Sequence, residues 1–388
     1  MSTLWRIVPR DPVVAGDGRG QPALASRLPN PLPPQPTVAG FVRTAFTGSG
    51  RVSRAEAISA LQRISLRGPF LETRPEGGPA TIWVHAPADA ARGEGGALVR
   101  GALIRCAPEE GVSWTGEALD LLMHLPSKDA IGRKLRSPVR PARWPSGTPA
   151  LWPLGAAVAW AGQQDDEAAR LLAQVAPEPP LQAEPRVHVA LDPQTGTAAR
   201  SLLFSSAGWR YAEGAGLLVE VDAPADQSPT PGGVLGAEGR PARITVETGM
   251  LPGFDAKDWR GRWMDLAARS PGRLALRVQL LTAGCFGGWA PNRPDLPPLL
   301  AAALGPHQAL SGWSLAARAP RAIRRLAPAG SVYIYGPVTD LDTFLSLAES
   351  LWLQPLSQGQ ADLDHHLLAA PGRDGYGLAL PGLAVLPE

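Results

Sequence analysis

The chain has 388 residues, of which 44% are apolar and twelve are tryptophan, enough to fill two ordinary domain cores and to exclude a disordered chain. Its 42 prolines and 43 glycines exclude a compact helical bundle and demand many turns and long connections. A formal net charge of +2 is too small to signal nucleic-acid binding by itself, so such a surface must come from local clustering.

In chain order, Leu4 to Val8 alternates as a short strand and is followed by a turn over Asp11–Gly20. The Pro-rich Leu28–Pro36 leads into a helix from Thr37 to Phe46, with prolines ahead of the first turn and Thr37 at the cap. A second helix is expected over Arg54–Ile64, then strands at Phe70–Glu72, Ala80–His85 and Leu98–Cys106. A basic, Pro-rich connector follows from Leu125 to Pro153, and Asp165-Asp166-Glu167 reads as an exposed helix start favoured by the dipole. Val187–Leu191 and Ala199–Phe204 flank Asp192-Pro193-Gln194-Thr195-Gly196, a hairpin signal, and Leu217–Val221 adds a strand. The acidic, Pro-rich Asp222–Gly233 reads as the boundary between halves, giving domains 1–225 and 226–388. Beyond it lie strands at Arg243–Glu247, Leu274–Thr282, Arg321–Leu326 and Ser331–Tyr335, a helix at Leu341–Trp352 and a last strand at Tyr376–Val385. The periodicities license an α+β protein of two domains, and the second half shows the order of a ferredoxin-like (RRM-like) unit.

Cys106 and Cys285 stand alone, which excludes a disulfide framework or zinc knuckle. Arg6, Arg10 and Asp11 interrupt any signal-peptide core, and no apolar run reaches membrane-spanning length; a cytoplasmic protein without a membrane partner is expected. The six histidines are scattered except for His365-His366, which with Asp362 and Asp364 reads as a solvated patch rather than a metal site. Neither a catalytic constellation nor a cofactor motif is present: the Gly372–Gly377 loop is no phosphate-binding loop of the Walker type, since no Gly-Lys pair occurs in the chain.

Basic residues cluster in two places. Residues 121–150 carry Lys128, Arg133, Lys134, Arg136, Arg140 and Arg143 against Asp129, and residues 313–336 carry Arg318, Arg321, Arg324 and Arg325 with no acid. The first cluster, interleaved with Trp144, reads equally as a solvated loop or as phosphate contacts with base stacking. Gly372-Arg373-Asp374-Gly375-Tyr376-Gly377 is either a tight turn or a close-approach loop, with Arg373 for a phosphate and Tyr376 stacking a base or packing inward. Arg43 sits three residues after Gly40 on the first helix, placed either to reach a phosphate or to lie on the surface. Arg240, beside Glu238, has the same two readings.

Several segments occur in a recognisable order: Pro9-Arg10-Asp11-Pro12 with Gly16-Asp17-Gly18-Arg19, Pro33 to Thr44, His188 to Ala198, Gly236 to Arg240, Leu280 to Pro291, and Gly372 to Gly382. Together they resemble the RAMP superfamily of CRISPR proteins, and within it the type III-B (Cmr) effector subunit that caps the 5′ end of the guide RNA. Gly16 departs from the family pattern, which usually carries an aromatic residue or Arg there. The resemblance implies two tandem ferredoxin-like RAMP domains with long Pro/Gly-rich insertions. It implies a non-catalytic subunit that binds the repeat-derived 5′ tag and contacts the large palm-domain subunit and the backbone nuclease subunit. The residues it points to for RNA are Arg19, Thr37, Gly40, Arg43, Lys128, Lys134, Arg136, His188, Thr197, Arg240, Arg373, Gly375, Tyr376 and Gly377. His188 and Thr197 would lie on a thumb-like hairpin, whose plain alternative is a hairpin completing the first sheet. Some relatives are guide-processing endoribonucleases, and His85 or His188 would be the acid/base in that rival reading.

Overall fold

The computed structural model describes residues 2–15, 32–46, 61, 63–93, 96–105, 121–124, 139–141, 143–144, 148–224, 228–236, 239–311, 313–314, 319–320, 322–357 and 372–388. The first half runs β1 (Ser2–Pro9), α1 (Gln35–Ala45), β2 (Ser65–Thr73), β3 (Thr81–His85), four short strands β4 to β7 (Ala90–Arg92, Leu98–Arg100, Ala102–Arg105, Leu121–His124) and β8 (Leu151–Pro153). It continues with α2 (Leu154–Ala161), α3 (Asp165–Ala173), β9 (Leu181–Leu191), β10 (Ala198–Tyr211), β11 (Ala215–Asp222), β12 (Gly232–Val234) and β13 (Pro241–Glu247). The second half runs α4 (Ala256–Arg269), β14 (Leu274–Leu280), β15 (Leu299–Ala303), then β16 to β19 (Gln308–Leu310, Trp313–Ser314, Ala319–Pro320, Arg324–Leu326). It ends with β20 (Val332–Tyr335), α5 (Leu341–Leu351) and β21 (Ala379–Val385).

Two sheets organise these elements. The first has the order β12-β13-β1-β11-β2-β3-β8, and its neighbouring strands are all antiparallel. Numbering β1, β2, β11 and β13 one to four along the chain gives the spatial order 4-1-3-2, the ferredoxin-like arrangement. The second sheet, β15-β20-β14-β21, has the same order read from its other edge. The fold is therefore α+β with two tandem ferredoxin-like units. Everything from β3 to β10 is an insertion between the second and third strands of the first unit.

The first sheet does not stop at the boundary expected at 225/226. β13 is its fourth strand, paired with β1 from Leu4↔Glu247 to Pro9↔Ala242, so the change of sheet falls after Glu247. Composition misled here because Asp222–Gly233, although Pro-rich, is a connection within the sheet. The second unit also departs from the standard order: residues 281–298 hold no helix, and α4, preceding β14, packs beside α5 in its place. Asp255 caps α4 by accepting from the Lys257 and Asp258 N–H groups, and Asp340 caps α5 through Thr343. Trp263 of α4 stacks on Phe344 of α5 with ring centroids 5.1 Å apart.

Strand alternation gives each sheet two buried faces. Leu217, Val219 and Val221 of β11 join Trp5, Ile7 and the α1 residues Val38, Phe41 and Val42 in one core. Leu218 points the opposite way and, with Phe70 and Val84, enters a core shared with Trp259, Leu276 and Phe344 of the second unit. Along β14, Leu274, Leu276, Val278 and Leu280 face α4 and α5, whereas Arg277 and Gln279 turn to the insertion of the first unit. The β9–β10 hairpin forms a two-stranded sheet of its own and does not extend the first sheet.

Candidate nucleic-acid interface

The segments Leu280–Pro291 and Gly372–Gly382 fold into one body with β19 and the residue that follows it. The turn after β14 pairs with the strand preceding Gly330, since Gly284 and Ala327 exchange N–H···O bonds of 2.8 and 2.9 Å. That turn also holds the glycine loop: Gly377 N–H donates to Ala283 O at 2.8 Å, and Thr282 Oγ1 donates to Gly375 O at 2.7 Å while accepting from Leu378 N–H. Ala283, Leu310, Leu326 and Tyr376 form a small apolar cluster at this junction. Glycine serves at position 284 because backbones meet there at hydrogen-bond distance, where bulk would separate them.

The glycines of the loop are turned towards protein. Gly375 has φ +81°, and a Cβ there would overlap the Gly68 carbonyl oxygen of β2. Gly377 has φ +67°, and its Cβ would stand 2.6 Å from Ser357 Oγ. Both are buried, so the close approach they allow is to β2 and residue 357. Tyr376 is 4% exposed, which decides for inward packing over base stacking. Arg373 is the exposed side chain of the loop, while its carbonyl accepts from Leu66 N–H at 2.8 Å.

Helix α1 presents a different surface from the one its sequence suggests. Gly40 and Thr44 are exposed with half-buried Thr37 on the same stripe, and a Cβ on Gly40 would meet nothing within 4 Å. Arg43 does not reach across Gly40. It is 6% exposed and gives Nη2 to Asp374 Oδ1 at 2.6 Å and to Ile64 O at 3.3 Å. As placed, it is a strut between α1 and the glycine loop.

The remaining expected residues fall around this body or outside the described residues. Half-buried Arg240 ends a turn whose Gly236 (φ +75°) packs on the Val14 carbonyl, near the core that α1 covers. His188 lies on β9, paired with Phe204, and exposed Thr197 lies at the hairpin tip, where its hydroxyl meets Thr195 Oγ1 at 2.8 Å. Both residues thus lie on the hairpin, a two-stranded sheet separate from the one that holds the glycine loop's strand. Arg19, Lys128, Lys134 and Arg136 lie outside the described residues, as do Arg318 and Arg321. Arg325 on β19 is exposed; Arg324 is half-buried, with Nη1 4.0 Å from Cys285 Sγ.

The profile of a family described as CRISPR-associated protein (Cas_Cmr3) matches residues 5–383. The chain belongs to the Cas_Cmr3 family. This bears out the resemblance to the type III-B effector subunit, over nearly the whole length. Among solved structures, it is similar to a chain of the type III-B Cmr-β complex bound to cognate target RNA, at 13% identity and TM-score 0.47, covering 85% of this chain and 86% of that one. A second chain, of Cmr-β bound to cognate target RNA and AMPPnP, gives 11% identity and TM-score 0.47, covering 94% and 90%. A chain of the Csm3–Csm4 subcomplex of a type III-A interference complex gives 9% identity and TM-score 0.33, covering 87% and 94%. No curated protein sequence matches.

Within this Cas_Cmr3 chain the second sheet is not an open platform. RRM-type sheets bind RNA on an exposed face. Here that face is closed by the first unit's insertion: Arg277, 0% exposed, binds Asp89 through Nε and Nη2 at 2.7 and 2.8 Å, and Gln279 Nε2 donates to His85 O at 2.9 Å. Burial alone would push the Asp89 carboxyl up; Arg277, with Arg100 and a hydrogen bond from Trp160, outweighs it and holds the pKa below the usual value. Burial holds the His85 imidazole down to about 4. Among the described residues, no three of His, Cys, Asp and Glu come together as a metal site, and no helix is long and apolar enough to cross a membrane.

Proposed function

We propose that this chain is a non-catalytic subunit of a type III-B CRISPR ribonucleoprotein that grips the repeat-derived 5′ tag of the guide RNA. It joins the large palm-domain subunit to the backbone nuclease subunit in that assembly. The observation that carries this reading is the body built from the 281–286 turn, β19 and the glycine loop, tied to α1 by Arg43 and Asp374. Arg373 and Arg325 are exposed on it, and α1 adds the open surface at Gly40 and Thr44. Phosphates meet those arginines and sugars pack on the small residues; Gly375, Tyr376 and Gly377 hold the loop in shape. The hairpin bearing His188 and Thr197 is a second contact with the guide, and the Lys128–Arg136 stretch adds phosphate neutralisation.

Two observations favour a binding role over guide processing. Burial holds the His85 imidazole down to about 4, and an imidazole so lowered is a poor general acid or base at neutral pH, which weighs against His85 in that role. Arg373 and Arg325 face outward, while the buried Arg43 and Arg277 are paired with Asp374 and Asp89. The test is binding of repeat-tagged RNA by the assembled complex between about 50 and 200 mM salt, where several phosphate contacts lower affinity by orders of magnitude. Arg373→Ala and Arg325→Ala should each reduce the salt slope by about one. Salt-insensitive binding contradicts the reading, and cleavage of repeat RNA that disappears in His188→Ala replaces it with the nuclease reading.

A further inference from the structure

Strand β9 carries its apolar side chains outward. Ala183, Pro185, Val187, Val189 and Leu191 alternate along one face and all are exposed, while Glu184, Arg186, His188 and Ala190 of the other face are half-buried. Val187, Val189 and Leu191 are 70, 45 and 62% exposed. The register sets Ala198 opposite Leu191 and Ala207 opposite Pro185, so alanines extend the row onto β10. The charges lie on the opposite face, where Glu184 accepts from Arg186 at 2.7 Å and from Arg210 at 2.5 Å. A free-standing pair of strands is marginally stable in water, and a bare apolar strand with an open edge invites association. The stripe calls for a cover.

Chemistry and area decide what that cover is. RNA is held by cationic side chains and by rings that stack on its bases. The stripe offers neither, only aliphatic groups without a donor. A second copy of this chain is also excluded as the cover, on area. Five side chains in one row present on the order of a few hundred Å², against about 800 Å² on each side of a self-standing complex. A patch of that size serves as one part of a larger contact, between subunits already held together elsewhere. We propose that the Ala183–Leu191 stripe docks on an uncharged, apolar surface of an adjoining protein subunit of the ribonucleoprotein. His188 on the opposite face and Thr197 at the tip are left to the guide. The inference rests on the proposed function for the existence of that assembly and adds which face of the hairpin meets protein.

The experiment reconstitutes the complex from purified subunits and guide RNA, with photoreactive p-benzoylphenylalanine in place of Val187, and maps the adducts by mass spectrometry. The adducts should fall on apolar residues of one partner subunit. Adducts on RNA overturn the proposal in favour of a guide contact, adducts on a second copy of this chain overturn it in favour of self-association, and absence of adducts overturns it outright. In parallel, Val187→Asp combined with Leu191→Asp should leave the melt and the monomeric sedimentation of the isolated chain unchanged, because both side chains are exposed. The same variant should enter the complex about tenfold less well, since its carboxylates would be buried against an apolar surface. Incorporation equal to that of the unaltered chain overturns the proposal. Guide binding is read separately, by protection of the 5′ tag in the unaltered complex, which can fail while the adducts still fall on a subunit.

Discussion

Arg43 Nη2 lies 2.6 Å from Asp374 Oδ1, and the two buried side chains tie α1 of the first ferredoxin-like unit to the glycine loop of the second across 331 positions. A buried pair of this kind is weak evidence for net stability, because both charges lose their water. Its effect is on geometry: it sets where the loop stands relative to α1.

Removing one partner leaves the other as an uncompensated buried charge. Arg43→Met and Asp374→Leu should each lower unfolding free energy by about 3–5 kcal/mol, whereas the double variant should recover most of the loss. Urea denaturation of the four proteins gives the cycle, and additive losses would show that the two residues do not act as a pair.

Gly375→Val should destabilise the fold itself. The residue sits at φ +81°, and any Cβ overlaps the Gly68 carbonyl, so strain and displacement of β2 should cost about 2–3 kcal/mol or more. Arg373→Ala, on an exposed side chain, should leave the melt unchanged and weaken RNA binding. A Gly375→Val protein with wild-type melting would mean that the loop does not rest on β2.

The hairpin is a separate two-stranded sheet, so it can be trimmed without opening either core. Replacing residues 187–205 with Asn-Gly, between the paired Arg186 and Ser206, should close a tight turn and leave the melt of the remainder within about 0.5 kcal/mol. Guide loading should fall, as measured by RNA recovered per mole of complex. Undiminished loading would remove His188 and Thr197 from the RNA surface.

His85 gives the stability an acid limb. Its folded pKa is about 4 against an ordinary value of 6.5, so between these limits the unfolded chain binds more protons. The neutral folded imidazole therefore contributes stability fully present above about pH 6.5 and lost as the pH falls towards 4, on the order of 1–3 kcal/mol. His85→Gln should flatten the melting temperature over that range, and an unchanged acid limb would assign the loss to other groups.

Much of this architecture was legible in the chain. Prolines before Thr37, the Asp192–Gly196 turn and the apolar spacing after Asp340 located α1, the hairpin and α5, because each signal is local. Two of the helices among the described residues were missed. α4 has a readable cap at Asp255 and Trp259, Trp263 and Leu266 at helical spacing; α2 is apolar on nearly every side and shows no amphipathic period. The direction of Arg43 could not be read from α1. Its partner is remote in sequence, and Arg43 continues the buried stripe of Gln35 and Ala39, 60° from the exposed Gly40 stripe that suggested a phosphate ligand. Likewise, close-set glycines announce close backbone approach without saying to what; here the partners are Gly68 and Ser357.

The measurement that bears most directly on the central claim is sequencing of the small RNA that co-purifies with this chain in its native complex. The account predicts guide RNAs whose 5′ ends all begin in the same short repeat-derived tag, with that tag protected from nuclease and its protection lost in the Arg373→Ala, Arg325→Ala double variant. RNAs with unrelated 5′ ends, or a tag as exposed to nuclease in the intact complex as in free RNA, would contradict it.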